Sequence, residues 1–295
     1  MADGALDALM PADMAVRAEA IGAKKAAMAL PTMFALSILA GAFIGVGAMF
    51  ATTVAAGAGD TFPYGVTRML AGLVFSTGLI LVIVGGAELF TGNNLIVMAW
   101  AGRSVTTASL ARNWTVVWIG NFVGSILTAA LVFIGGQYAF GHASVGVTAL
   151  STANAKMGLD FVPAIALGIL CNALVCMAVW LTYSARTTTD RILAIIPPIA
   201  AFVACGFEHS VANMYFGSIA LFIRQFAPES FWADAGKTAA DYPNVTWDRF
   251  LVGNLLPVTI GNIIGGAVLV GAFYWFIYLR GRSRQADGAA GTPRP

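Results

Sequence analysis

Gly86–Asn93 reads GAELFTGN and Gly206–Asn213 reads GFEHSVAN. Both octapeptides sit inside long apolar runs and interrupt them with the same polar pair: Glu88 with Asn93 five residues on, and Glu208 with Asn213 five residues on. A carboxylate costs several kcal/mol at mid-membrane, so matched polar breaks in two apolar segments mark a permeation or binding site at that depth. In the second copy His209 follows the glutamate directly.

The surrounding chain supports a membrane setting. Its 295 residues are 59% hydrophobic and 10% charged, and 33 glycines are spread through the apolar runs, as expected of an all-α polytopic membrane protein in a lipid bilayer. A net charge of +2 with scattered basic residues excludes a nucleic-acid partner. The first thirty residues mix acids and bases without a continuous apolar core and cleavage site, so no cleaved signal peptide is expected. Cys171, Cys176 and Cys205 fall in apolar stretches without metal-ligand spacing and are expected to pack in the core. No HExxH, nucleotide-binding loop or Gly-rich dinucleotide turn occurs, so neither enzyme activity nor a cofactor or metal is expected.

A spanning helix needs about 20 apolar residues, and six stretches qualify, near 32–56, 66–101, 110–135, 161–184, 192–224 and 250–279. The second and fifth exceed one plain span, and each carries its polar break near the middle. Each is predicted to be two half-helices joined by unwound backbone, which membrane depth tolerates only where it lines a cavity or is buried in protein. With both termini cytoplasmic, eleven lysines and arginines fall inside (17, 24, 25, 103, 112, 186, 191, 280, 282, 284 and 294) and five outside (68, 156, 224, 237 and 249), which favours that orientation. The expected organisation is a cytoplasmic amphipathic segment over 1–30, a transmembrane channel domain over 31–280 and a disordered cytoplasmic tail over 281–295.

An internal repeat runs through the chain. Ala35–Leu39 (ALSIL) matches Ala166–Leu170 (ALGIL) at an offset of 131, which aligns Gly41 with Asn172. The Glu-x4-Asn breaks lie 120 apart, and N-x6-G-N-x2-G recurs from Asn113-Gly120-Asn121-Gly124 to Asn254-Gly261-Asn262-Gly265 at 141. Three spans per repeat is an odd number, so the second half enters from the opposite face: an inverted 3+3 repeat with its site at the midplane. The GxxxG spacings at Gly41/Gly45, Gly120/Gly124 and Gly261/Gly265 read as close helix packing.

Several residues leave a choice open. His209 is either a pathway group or a buried ring satisfying a carbonyl. Glu88 and Glu208 either carry protons or brace the broken helices, and the repeat favours bracing because both halves need it. Thr91 can reach a histidine across the repeat interface, or cap a half-helix starting at Gly92. Asn172 either serves the lumen or bonds between helices. Phe75, Leu79, Leu89, Phe90 and Phe202 either form apolar constrictions or belong to the ordinary core.

Taken together, GAELFTGN, LCNALVCMAVW at Leu170–Trp180, GFEHSVANM at Gly206–Met214 and PVTIGNIIGG at Pro257–Gly266 resemble the formate/nitrite transporter family, from Leu9-Met10-Pro11 to about Arg280. ARNW at Ala111, VTIGNIIGG and YWFIYLR are most similar to its formate channel branch. The resemblance implies an aquaporin-like six-helix protomer in a homopentamer in the bacterial inner (plasma) membrane. Each protomer would have its own pore for formate, nitrite or acetate, with protons as a coupling partner. It implies His209 as the central pore histidine, Thr91 as its partner, Asn172 as a lumen ligand and Lys156 in the outer vestibule. Phe75, Leu79, Leu89, Phe90 and Phe202 become constriction residues. Glu88, Glu208, Asn93, Asn213, Asn121 and Asn262 remain, on the reading of the repeat, supports of the broken helices. Gly92-Asn93-Asn94 after Thr91 keeps nitrite in play. An aquaporin-type neutral-solute pore would also use a broken inverted repeat, but the paired NPA signatures are absent.

Overall fold

The computed structural model describes residues 8–59 and 62–281, and every regular element among them is helical. The tail expected to be disordered lies, Gly281 apart, outside the described residues. A docked amino-terminal helix, α1 (Pro11–Ala26), starts on proline and ends on Lys24 and Lys25, both favourable for helix ends. It is followed by α2 (Leu30–Ala55), α3 (Tyr64–Gly85), the four-residue α4 (Phe90–Asn93), a tight turn at Asn94–Ile96, α5 (Val97–Ala101) and α6 (Thr107–Ile134). Next come α7 (Ser144–Met157), α8 (Phe161–Ser184), α9 (Thr188–Ala204), α10 (Ser210–Phe226), the short α11 (Glu229–Ala235) and α12 (Arg249–Tyr278).

By length and composition, α2, α3, α6, α8 and α12 can each cross a membrane. The two overlong segments are interrupted at the polar motifs, between Gly85 and Phe90 and between Ala204 and Ser210. Leu127, Leu131, Ile134, Val162, Leu193 and Val252 are exposed apolar side chains, as a multi-pass membrane protein presents to lipid or to its own copies.

Glycines set the helix spacing. A methyl at Gly41 would strike the Asn121 carbonyl and one at Gly124 the Ile38 carbonyl, so α2 and α6 touch backbone to backbone. Gly261 and Gly265 bring α12 equally close to Ile165 and Ile169 of α8. The GxxxG spacings are packing sites, as read from the sequence. Helix α12 departs from plain α-helix, with π-helical turns at Arg249–Leu255 and Ile264–Ala272. The first precedes Pro257, whose missing N–H removes a bond from the regular ladder. The second lodges Gly266 against Asn172 and Asn94.

Candidate functional site

The two breaks are built from the same parts. At the first, Gly86 takes the left-handed conformation (φ 82°) that suits glycine, and its N–H and that of Ala87 both return to the Val82 carbonyl. At the second, Gly206 does the same (φ 75°), and the Phe207 N–H bonds the Phe202 carbonyl. The Glu88 N–H then donates to Leu36 O, and the Glu208 N–H to Leu167 O, residues again 131 apart.

One asparagine bridges each gap. Asn121 Oδ1 accepts from the Phe90 N–H (2.9 Å) while its Nδ2 donates to the carbonyls of Ser37 (2.7 Å) and Glu88 (2.9 Å). Asn262 repeats this with the Ser210 N–H (2.9 Å) and the carbonyls of Gly168 (2.8 Å) and Glu208 (2.9 Å). Membrane depth offers no water to backbone groups freed by a broken helix, and these two side chains replace it.

The carboxylates are matched as well. Glu88 accepts from Lys25 Nζ (2.8 Å) and Asn93 Nδ2 (2.7 Å), and Asn93 also donates to Asn113 Oδ1 (3.0 Å). Glu208 accepts from Lys156 Nζ (2.7 Å) and Asn213 Nδ2 (2.6 Å), and Asn213 donates to Asn254 Oδ1 (2.8 Å). Asn113 and Asn254 close the circuits on the carbonyls of Lys25 and Lys156. Both carboxylates are buried and fully engaged. The sequence reading assigned Lys25 only to charge asymmetry, yet it lies 131 residues before Lys156, the offset of the first repeat match.

His209 sits where the second break meets the first. Its Nδ1 accepts the Ala212 N–H (3.0 Å), and its Nε2 lies 3.0 Å from Thr91 Oγ1. A ring nitrogen facing a backbone N–H must be unprotonated, so the neutral ring carries its hydrogen on Nε2 and directs it at Thr91. The half-helix containing Thr91 begins at Phe90 with Leu89 as its cap residue, so Thr91 is not the cap. Its hydroxyl meets the histidine instead.

Two cavities approach this point from opposite sides. One, of ≈ 220 Å³, lies beneath α1 and is lined by Arg17, Lys25, Leu79, Leu89 and Arg191 among others. The other, of ≈ 70 Å³, is lined by Arg68, Phe75, Lys156, Phe202 and His209 with Thr52, Thr148 and Thr152. Phe75 and Leu79, one turn apart on α3, face different cavities and divide them. Phe75 packs edge-on to Phe202 (5.5 Å), which stacks on the His209 ring (5.7 Å). All four apolar residues, Phe75, Leu79, Leu89 and Phe202, are buried.

Of the sequence-predicted residues, Thr91 reaches the site through His209 without lining either cavity. Phe90 lines neither cavity; it packs edge-on to Trp114 (6.5 Å) beside a lateral groove. Asn172 also lines neither, because it donates to the Thr91 carbonyl (3.3 Å), Asn94 Oδ1 (2.9 Å) and the Asn262 carbonyl (2.7 Å). That is an interhelical tie fixing the loop that carries Thr91. Cys171 and Cys176 are buried, but Cys205, at the open end of α9, is exposed rather than packed in the core.

Comparison with known proteins agrees with this architecture. A family model described as formate/nitrite transporter matches residues 12–276. The chain is 44% identical to the formate channel FocA of Escherichia coli (strain K12) over 279 residues, covering 95% of this chain and 98% of that protein. It is 40% identical to the formate channel FocA of Haemophilus influenzae over 92% and 95% of the two chains. Among solved structures, a pentameric formate channel with formate bound aligns at TM-score 0.81 and 47% identity over 85% of this chain and 98% of that one. An FNT family ion channel aligns at TM-score 0.75 and 28% identity over 90% and 98%. With a family match over residues 12–276 and relatives 44% and 40% identical over nearly its whole length, this chain belongs to the formate/nitrite transporter family.

Proposed function

We propose that this protein is a formate channel of a bacterial inner membrane, a homopentamer in which each protomer carries its own path. The observation that carries the reading is the His209–Thr91 contact, set between two lysine-bearing cavities and behind apolar rings. The protomer is six spans in an inverted, aquaporin-like 3+3 repeat, broken in the second and fifth. The residue-for-residue match of the two asparagine brackets supports this. The arginine and lysine distribution supports cytoplasmic termini, which puts the α1 cavity inside and the Lys156 cavity outside.

In this mechanism the basic cavities draw the anion in, and His209 Nε2–H replaces its bond to Thr91 with one to the carboxylate. A bare anion crosses the Phe75/Phe202 and Leu79/Leu89 rings at high cost, and formic acid crosses far more easily. Proton transfer at Nε2 requires a second proton on Nδ1 and therefore loss of the Ala212 bond. Channel and proton-coupled modes differ in whether that bond survives. His209→Asn is expected to abolish coupled proton movement in proteoliposomes, and retained coupling would end the proton-transfer version.

The decisive experiment is formate and nitrite flux into proteoliposomes across a pH series, native against His209→Ala. Formate-preferring, pH-dependent flux altered by the mutation supports the proposal. Preference for nitrite, which Gly92-Asn93-Asn94 beside Thr91 keeps in view, would reassign the substrate. A variant matching native in flux, selectivity and pH response would refute the role of His209. The position of α1 over its cavity supports a gate at low pH, and unchanged pH dependence after deletion of residues 1–21 would count against it.

A further inference from the structure

The carbonyl end of half-helix α9 stops at the break, on the wall of the Lys156-side cavity, where Val203 is a lining residue. A helix carboxyl end carries about −0.5 of an elementary charge, which repels an anion about to meet the apolar ring. Arg68 occupies that end. Its Nε donates to the Ala204 carbonyl (3.4 Å) and its Nη2 to the Val203 carbonyl, and the guanidinium lies against Gly206. On α3, Arg68, Ala71 and Phe75 follow i, i+3, i+7 spacing and all line the cavity. Seven residues at 1.5 Å each put Arg68 about 10 Å before Phe75, on the approach.

The charges around this cavity then decide the sign. Lys156 is paired with Glu208 at 2.7 Å, so the two cancel to first order. The amino end of α10, about +0.5, offsets the carboxyl end of α9. Among the described residues Arg68 bonds to backbone carbonyls and not to a carboxylate, so its positive charge is left over. We infer that Arg68 is a specificity-determining residue. With its guanidinium held on the last carbonyls of α9, it makes this vestibule anion-accepting, a role that Lys156, held by Glu208, does not fill alone. The inference rests on the anion-channel reading, but its test does not depend on which anion is carried.

The test places a reporter thiol on the cavity wall, Thr148→Cys with Cys205→Ser, in nanodisc-embedded protein. It compares modification rates by anionic and cationic methanethiosulfonates of equal size. Arg68→Gln is expected to lower the anionic-to-cationic rate ratio on the order of tenfold, the effect of one charge within a few ångströms of the reporter path. Arg68→Lys, which keeps the charge, should stay within about twofold of the Arg68 protein. Arg191→Gln, which empties a charge from the opposite cavity, should leave the ratio unchanged. In proteoliposomes Arg68→Gln should raise the formate concentration for half-maximal flux severalfold, with the maximal rate retained, and added salt should shrink the difference. An unchanged ratio, or equal loss in Arg68→Gln and Arg68→Lys, would make the arginine a structural cap and overturn the inference. Absence of formate flux in the native protein would instead refute the proposed function, and the thiol ratio would still decide on Arg68.

Discussion

Replacing Asn262 by alanine removes three buried hydrogen bonds at once, to the Ser210 N–H and to the carbonyls of Gly168 and Glu208. Each bond between membrane helices contributes about 0.6 kcal/mol on average, which sets a floor of about 2 kcal/mol. Two of the three partners, the Ser210 N–H and the Glu208 carbonyl, are backbone groups at a break with no helical alternative, and each approaches the 1–3 kcal/mol penalty of an unmet buried group, so the loss reaches about 6 kcal/mol. Unfolding in mixed detergent micelles, followed by circular dichroism, measures this directly. Asn121→Ala, which severs the same three bonds at the other break, should fall within about 1 kcal/mol of it, because the two brackets are equivalent bond for bond. A cost under about 1 kcal/mol for Asn262→Ala, or widely different costs for the pair, would refute the view that these side chains carry the broken helices.

Other expectations follow from the same geometry. Lys156→Met strands Glu208 as a buried unpaired carboxylate and should cost about 3 kcal/mol, with much of the loss recovered by adding Glu208→Gln; equal stability of the single and double variants would contradict the pairing. Gly265→Ala drives a methyl into the Ile169 carbonyl and should destabilise by about 2 kcal/mol or more, whereas Gly253→Ala meets only Arg249 Cδ at 3.5 Å and should be neutral or slightly stabilising. Backbone N–H groups of Thr187 and Arg186, with the Thr187 hydroxyl, hold the Asp190 carboxyl below its usual range. A depressed carboxylate stabilises the fold above its unfolded value and loses that contribution as pH falls through the folded one. Thermal midpoints of native and Asp190→Ala protein should therefore differ at neutral pH and converge in acid.

The sequence by itself determined the membrane class and the positions of both breaks, because hydropathy and matched polar interruptions are local signals. It also determined which asparagines and glutamates matter, since repeat offsets of 120 and 141 pick out the bracket residues. The offset of 131 links Lys25 to Lys156 just as clearly, but a lysine near a terminus carries an orientation signal that masks a pairing one. What only the tertiary structure decided was direction. Spacing cannot say that Asn172 ties the loop that carries Thr91, that Phe90 packs on Trp114, or that Leu89 and not Thr91 occupies the cap position. Nor can it show that Arg68 of α3 ends on the carbonyls of α9, 135 residues away, because that contact exists only once the two helices pack across the repeat. The π-helical turns of α12 divide the same way: Pro257 follows the first and marks where the ladder is weak, but only the tertiary structure shows Gly266 of the second lodged against Asn172 and Asn94.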